Sequence, residues 1–353
     1  MLSRVVGMLS KSCDKSAQAE CYTNEDGHDL SVSAGHTAVL PLTSELGSRP
    51  SVRTSKHIKS FNVRVPSRIL SLCGGGHLCI AHVGLLKGLQ DRNLLKYVKE
   101  VIGISAGALV SLMYVLGYTI EQMETLLYTI DLSMFTNIES DCALSFYQTL
   151  CVNSGEMLDT FLRSLLENKG FSEKTTFAEF HSRAKLKFRC YATCLQTSDI
   201  QEFSAKKTPN HSILFALRAS MCLPVIFAPM KDPFTESMYY DAALIHNMPF
   251  VFLTEEEKRH TLSVFFDVFG ASDLTHEITS VLTYAFKSFY NLRNVYYLKR
   301  YTDSIVRIPV DFTKFLDCNT KETKDELISV GYSTCMAFLD SAPTPVVRRY
   351  SIS

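Results

Sequence analysis

Glycine is scarce in this chain and unevenly spread: sixteen occur in 353 residues, none between Gly170 and Gly270, and eight fall between Gly74 and Gly117. With 46% apolar and 20% charged residues, that composition excludes collagen-like, fibrous and wholly disordered chains and allows a sizeable core. Net charge is also missing. Lys and Arg total 36 against 36 Asp and Glu, so no broad positive field exists to hold DNA or RNA, and nucleic acid is not an expected partner. No apolar run approaches the ~20 residues of a membrane-crossing helix. The eleven cysteines contain no C-x-x-C pair, and Cys190 and Cys194 lack a second pair at zinc-ligand spacing. The thiols therefore read as small core residues of a reducing compartment, and no metal is expected.

What is present divides the chain into three parts. Residues 1–65 are rich in Ser, Thr and Asp with little apolar periodicity, and Arg49 to Arg68 carries six basic residues and no acidic one, which reads as a solvated, flexible leader. The opening apolar run is too short for a secretory signal and is followed by Asp14. Order is expected over 66–340, with 341–353 as a tail. Arg68–Cys73 reads as a strand ending in Gly74-Gly75-Gly76, followed by a helical stripe from Leu78 to Leu86. Val98–Ile104 reads as a second strand running into a helix over Ala106–Leu116. Alternation of this kind predicts parallel α/β structure. Further on, the pattern predicts helices at 156–166 and 212–219, strands at 187–195, 202–204, 238–240, 262–268 and 303–309, an aromatic helix at 279–298 and a closing helix at 324–339. Residues 118–150 are read as a cover over the site or as an ordinary packed helix.

Gly103-Ile104-Ser105-Ala106-Gly107 is a G-x-S-x-G pentapeptide between strand and helix, the setting a nucleophile elbow requires. Gly103 and Gly107 let strand and helix approach without a Cβ clash, and the helix N-terminus favours a developing oxyanion at Ser105. A right-handed crossover puts the Gly74–Gly76 turn beside Ser105, so the N–H groups of Gly74, Gly75, Gly76 and Ala106 are candidates for an oxyanion hole. A dinucleotide fingerprint fails, since Cys79 stands at the third glycine position. For the base, two candidates stay open: a histidine such as His246, completing a Ser-Asp-His triad, or Asp241, whose pKa would rise in a partly dry cleft.

The glycine triplet followed by Ala81-His82-Val83-Gly84, the Gly-Ile-Ser-Ala-Gly elbow, the run Ala216 to Pro229, and Tyr240-Asp241 followed by Asn247-Met248-Pro249 together resemble the patatin-like phospholipase family. The resemblance implies a three-layer α/β/α fold with a mainly parallel sheet, and a Ser105–Asp241 dyad acting without histidine. It implies acyl-ester hydrolysis of phospholipid or acylglycerol, of phospholipase A, lipase or lysophospholipase type, through an acyl-enzyme and with no cofactor. A cytoplasmic protein working at a membrane or lipid-droplet surface is the expectation. The chain departs from the family at His77-Leu78-Cys79, where a cation and a fourth glycine are usual, and at Ala242, which stands where a glycine usually follows the aspartate. If Ala242 needs a positive φ, it is strained by about 1 kcal/mol or more. A lipid-binding or regulatory protein with weakened turnover is the alternative.

Overall fold

A computed structural model of the chain describes residues 67–131, 138–144, 146–149, 151–269, 292–311 and 320–341. The leader over 1–65, most of the tail over 341–353 and the first part of the expected aromatic helix lie outside the described residues.

The frame is a sheet of eight strands: β1 Ile69–Leu72, β2 Glu100–Gly103, β3 Lys187–Cys194, β4 Ile200–Ser204, β5 Met230–Lys231, β6 Met238–Asp241, β7 Thr261–Phe269 and β8 Ile305–Asp311. Five of these run parallel in the order β3-β2-β1-β7-β8, and β4, β5 and β6 add antiparallel pairings around β3. Alternate strand residues enter two separate apolar clusters. Val101, Cys190, Val264 and Val306 pack on one face, while Ile102, Tyr191, Phe265 and Ile305 pack on the other. A two-residue period that buries both faces is the signature of a three-layer sandwich. This is the mainly parallel α/β/α architecture that the residue pattern and the family resemblance lead one to expect.

Among the described residues, the helices that flank the sheet or frame the site include α1 Ile80–Asp91, α2 Ala106–Val115, α3 Ile120–Thr129, α4 Glu156–Glu167, α5 Ile213–Ser220, α6 over 292–300 and α7 Lys321–Ser341. Helices α1 and α7 cross with their backbones almost touching. A Cβ at Gly84 would stand 2.0 Å from the Ile328 carbonyl oxygen, and one at Gly331 would stand 2.0 Å from that of Ala81. Helix α3 begins at a capping box formed by Thr119 and Gln122 and buries Ile120, Met123, Leu126 and Leu127, so within 118–150 this part is a packed helix.

Register on β3 decides where the reactive groups sit. Residues Arg189 and Cys190 pair with β2 and also with β4, so those two strands occupy opposite edges of β3. Residues Ala192 and Thr193 pair with β4 and with β6, which puts β6 on the same edge as β2. Gly103 is opposite Cys190 and Asp241 is opposite Ala192. The end of β6 therefore lies two residues, about 7 Å, beyond the end of β2, where the chain turns through Ser105.

Candidate active site

Ser105 sits at the N-cap of α2 with φ 54° and ψ −132°, a conformation that costs a residue with a side chain roughly 1–3 kcal/mol. The surroundings hold it there. Its N–H donates to Ser220 Oγ at 3.0 Å, its carbonyl accepts from Ala108 N–H at 2.8 Å, and Gly107 N–H donates to the Ile104 carbonyl at 2.9 Å. A Cβ at Gly103 would lie 2.5 Å from the Ala108 backbone, and one at Gly107 would lie 2.3 Å from the Cys73 carbonyl oxygen. Both elbow glycines are thus required by close backbone approach. Ser220, on the last turn of α5, carries no sequence signal of its own for this contact.

Asp241 ends β6 and is fully buried. Its N–H donates to the Cys222 carbonyl at 2.8 Å and its own carbonyl accepts from Thr193 Oγ1 at 3.3 Å. Of the carboxylate oxygens, Oδ1 accepts the Ala243 N–H at 2.8 Å, while Oδ2 has no partner meeting hydrogen-bond geometry. Burial raises the carboxyl pKa to about 7, against the downward pull of the neighbouring Ser105 side chain and the Ala243 N–H. The structure thus brings Ser105 and Asp241 together in a setting where the carboxylate has high proton affinity.

The glycine turn lies against Ser105. An added Cβ at Gly74 would meet Asn247 Oδ1 at 2.5 Å and Ser105 Cβ at 3.0 Å. Gly74 departs from expectation in one respect: its N–H donates to the Asn247 carbonyl at 3.1 Å, and its carbonyl accepts from Asn247 Nδ2 at 2.9 Å. A donor committed in this way does not face the serine. No backbone carbonyl takes up the N–H of Gly75, Gly76 or Ala106 among the described residues. The next residues, Gly76–Cys79, form a short 3₁₀ turn in which Leu78 and Cys79 are buried, so the departures from the family at these positions serve core packing.

Ala242 is free of the expected strain. It enters a 3₁₀ turn, Ala242–Leu244, at negative φ and is buried in the core cluster that holds Ile104 and Met248. His246 and His82 stand apart from this pair. His246 packs against Phe252 and Tyr297, and no hydrogen bond joins it to Ser105 or Asp241 among the described contacts. His82 is buried with Nε2 on the Cys73 carbonyl at 2.8 Å, and burial lowers its pKa to about 4, which makes it a neutral core residue. Among the described residues no cluster of three or more His, Cys, Asp or Glu is arranged to hold a metal.

The chain is similar to several known proteins. The family model for patatin-like phospholipase matches residues 70–254. The chain is 24% identical over 182 residues to probable lipid hydrolase 463L of Invertebrate iridescent virus 6, covering 52% of this chain and 61% of that protein. It is 23% identical over 198 residues to uncharacterized protein R571 of Acanthamoeba polyphaga mimivirus, covering 56% of this chain and 64% of the other. In both cases the match spans less than two thirds of the relative. Among solved structures, VipD from Legionella pneumophila shares the fold, with a TM-score of 0.55 at 16% identity over 78% of this chain and 67% of that one.

Proposed function

This chain belongs to the patatin-like phospholipase family, matching over residues 70–254, and from that premise we propose that it is a serine lipid acyl hydrolase acting on phospholipid or acylglycerol esters. The observation that carries the reading is the buried contact of Ser105 with a carboxyl group whose pKa is raised to about 7. In this mechanism Ser105 Oγ attacks the ester carbonyl as its proton passes to Asp241. The N–H groups of Gly75, Gly76 and Ala106, with the α2 dipole, stabilise the oxyanion. Collapse of the tetrahedral intermediate returns the proton from Asp241 to the leaving alcohol and leaves an acyl-enzyme on Ser105. Water, deprotonated by the same carboxylate, attacks the acyl-enzyme; as the acyl–Oγ bond breaks, Asp241 returns that proton to Ser105 Oγ and the fatty acid leaves. An aspartate of ordinary pKa would hold the serine proton poorly, and desolvation of Asp241 closes part of that gap. The corresponding working location is the cytoplasmic surface of a membrane or lipid droplet.

The commitment of Gly74 N–H to Asn247 favours a second reading, a lipid-binding protein with weakened turnover, because one backbone donor of the glycine turn is withdrawn. One experiment separates the two. The wild-type chain and Ser105→Ala are assayed on a panel of phospholipids, triacylglycerols and short-chain esters, alongside labelling by a fluorophosphonate. Hydrolysis and labelling lost with Ser105 support the enzyme; a wild-type chain that neither labels nor hydrolyses supports the binder. Undiminished hydrolysis by Ser105→Ala refutes the proposed nucleophile.

A further inference from the structure

Helix α6 is apolar on the wrong side. Asn294 and Leu298 are its buried positions, with Tyr297 half-buried beside them, whereas Leu292, Val295, Tyr296 and Lys299 point to solvent at a spacing of three and four residues. Leu292 is 73% exposed and Tyr296 57%. An ordinary surface helix turns such a stripe inward and covers its outer face with polar groups. Within 292–300 the charges all have one sign: Arg293, Lys299 and Arg300 are exposed and no residue is acidic, while the nearby Glu255 is already engaged by Lys258 and the Tyr301 hydroxyl.

The stripe stands beside the reaction centre. Arg293 Nη1 donates to the carbonyls of Leu244 at 2.8 Å and Ile245 at 2.5 Å, tying α6 to the turn that follows Asp241. Leu244, in that turn, is itself exposed. On the inner side Leu298 and Tyr301 share a core cluster with Ile104 and Ala242, the chain neighbours of Ser105 and Asp241. The apolar outer surface and the proposed nucleophile and base are therefore fixed to one rigid support.

We propose that the outer face of α6, extended by Leu244, is the surface by which this protein docks on an anionic lipid bilayer. The proposal rests on the lipid hydrolase reading for its biological use, though the docking itself does not require turnover. Exposed Leu and Val enter the acyl boundary, Tyr296 lies at the headgroup level, and Arg293, Lys299 and Arg300 meet lipid phosphates and carboxylates. An exposed apolar stripe flanked along its helix by three cations suits such a surface better than water. Docking in this orientation sets the Asp241 turn against the membrane, so that an ester lifted from the outer leaflet has a short path to Ser105.

The test uses the full chain carrying Ser105→Ala, which separates docking from hydrolysis. Because the protein has no tryptophan, Tyr296→Trp places a single reporter on the stripe. Vesicles of phosphatidylcholine with about one quarter phosphatidylserine should shift its emission to the blue, and brominated lipid should quench it. Pure phosphatidylcholine or high salt should weaken the effect. In co-sedimentation, Leu292→Asp should lower vesicle binding about tenfold or more, with an unchanged far-UV circular dichroism melt as the control for folding. Absence of an emission shift, or binding unaffected by Leu292→Asp, overturns the proposal. A wild-type chain that docks but hydrolyses no ester overturns the hydrolase reading and leaves docking intact. One that hydrolyses soluble esters but does not dock does the reverse.

Discussion

Replacing Asp241 by Asn should make the protein more stable and inactive, and the stability gain should depend on pH. Burial raises the carboxyl pKa from 3.8 to about 7. At 1.36 kcal/mol per unit, that rise of about three units means an ionised Asp241 costs the folded state about 4 kcal/mol. The sign follows from proton binding. Below pH 4 the folded and unfolded chains are both protonated at this position, so ionisation brings no penalty. Between pH 4 and about 7 the folded chain keeps a proton that the unfolded chain has released, so stability falls as pH rises. Above about 7 both are ionised and the deficit is constant. The substituted asparagine cannot ionise, and its amide oxygen can still accept the Ala243 N–H that Oδ1 of Asp241 accepts at 2.8 Å. Urea unfolding followed by circular dichroism at pH 4.5 and pH 8.5 measures the difference, since no tryptophan is available for fluorescence. Asp241→Asn should exceed wild type by up to about 4 kcal/mol at the higher pH and by much less at the lower one. A difference between variant and wild type that is flat across this range would refute the argument that desolvation is what raises the Asp241 pKa.

The same ionisation should set the acid limb of catalysis: kcat/KM for a soluble ester should rise with pH to a plateau with an apparent pKa near 7, and a limb near pH 4 would contradict a desolvated base. Ser220→Ala removes the acceptor of the Ser105 N–H and leaves a buried donor unpaired, a loss of about 1–3 kcal/mol in denaturant unfolding together with a lower kcat; unchanged values would show that the elbow does not depend on it. Gly107→Ala forces a Cβ to within 2.3 Å of the Cys73 carbonyl oxygen and should destabilise by about 1–3 kcal/mol or more, checked by the same unfolding. His246→Ala should leave the rate on soluble esters within about twofold, because a positioned general base would contribute roughly a hundredfold or more; a loss of that size would restore the triad.

Much of this arrangement is legible in the residue order. Strands β1, β2, β3, β7 and β8 are short apolar runs with breaks at both ends, and the pentapeptide around Ser105 falls where strand meets helix, so local pattern suffices to place the elbow. The features that are not legible depend on what the fold brings together. Nothing near Gly74 in the chain says that Asn247 will take its N–H, and nothing near Ser220 marks it as the partner of Ser105. The role of β6 likewise follows from its sharing an edge of β3 with β2, a register that no local periodicity encodes. At Ala242 the expected strain is absent, since the turn there runs at negative φ and the methyl group fills core space. For the helix expected over 279–298 the aromatic pattern fits core packing first, and also an acyl channel or a bilayer contact. Which of its faces meets solvent is set by the neighbours, and those put Leu292 and Tyr296 outside.

The two-way hydrogen bonding of Gly74 with Asn247 also sets a clock. The partners are 173 residues apart in the chain, so a ribosome adding about 5–20 residues per second finishes Asn247 roughly 9–35 s after Gly74. Until then the glycine turn is held at the elbow by the β1–β2 pairing alone and lacks its Asn247 tie, and Asp241 is itself made late. A nascent chain therefore carries its serine without Asp241 or the Asn247 tie while the 142 residues from Ser105 to Asn247 are added. A serine hydrolase built in this way would lack its base and the brace of its glycine turn over that stretch of synthesis, whatever the state of the sheet strands already made.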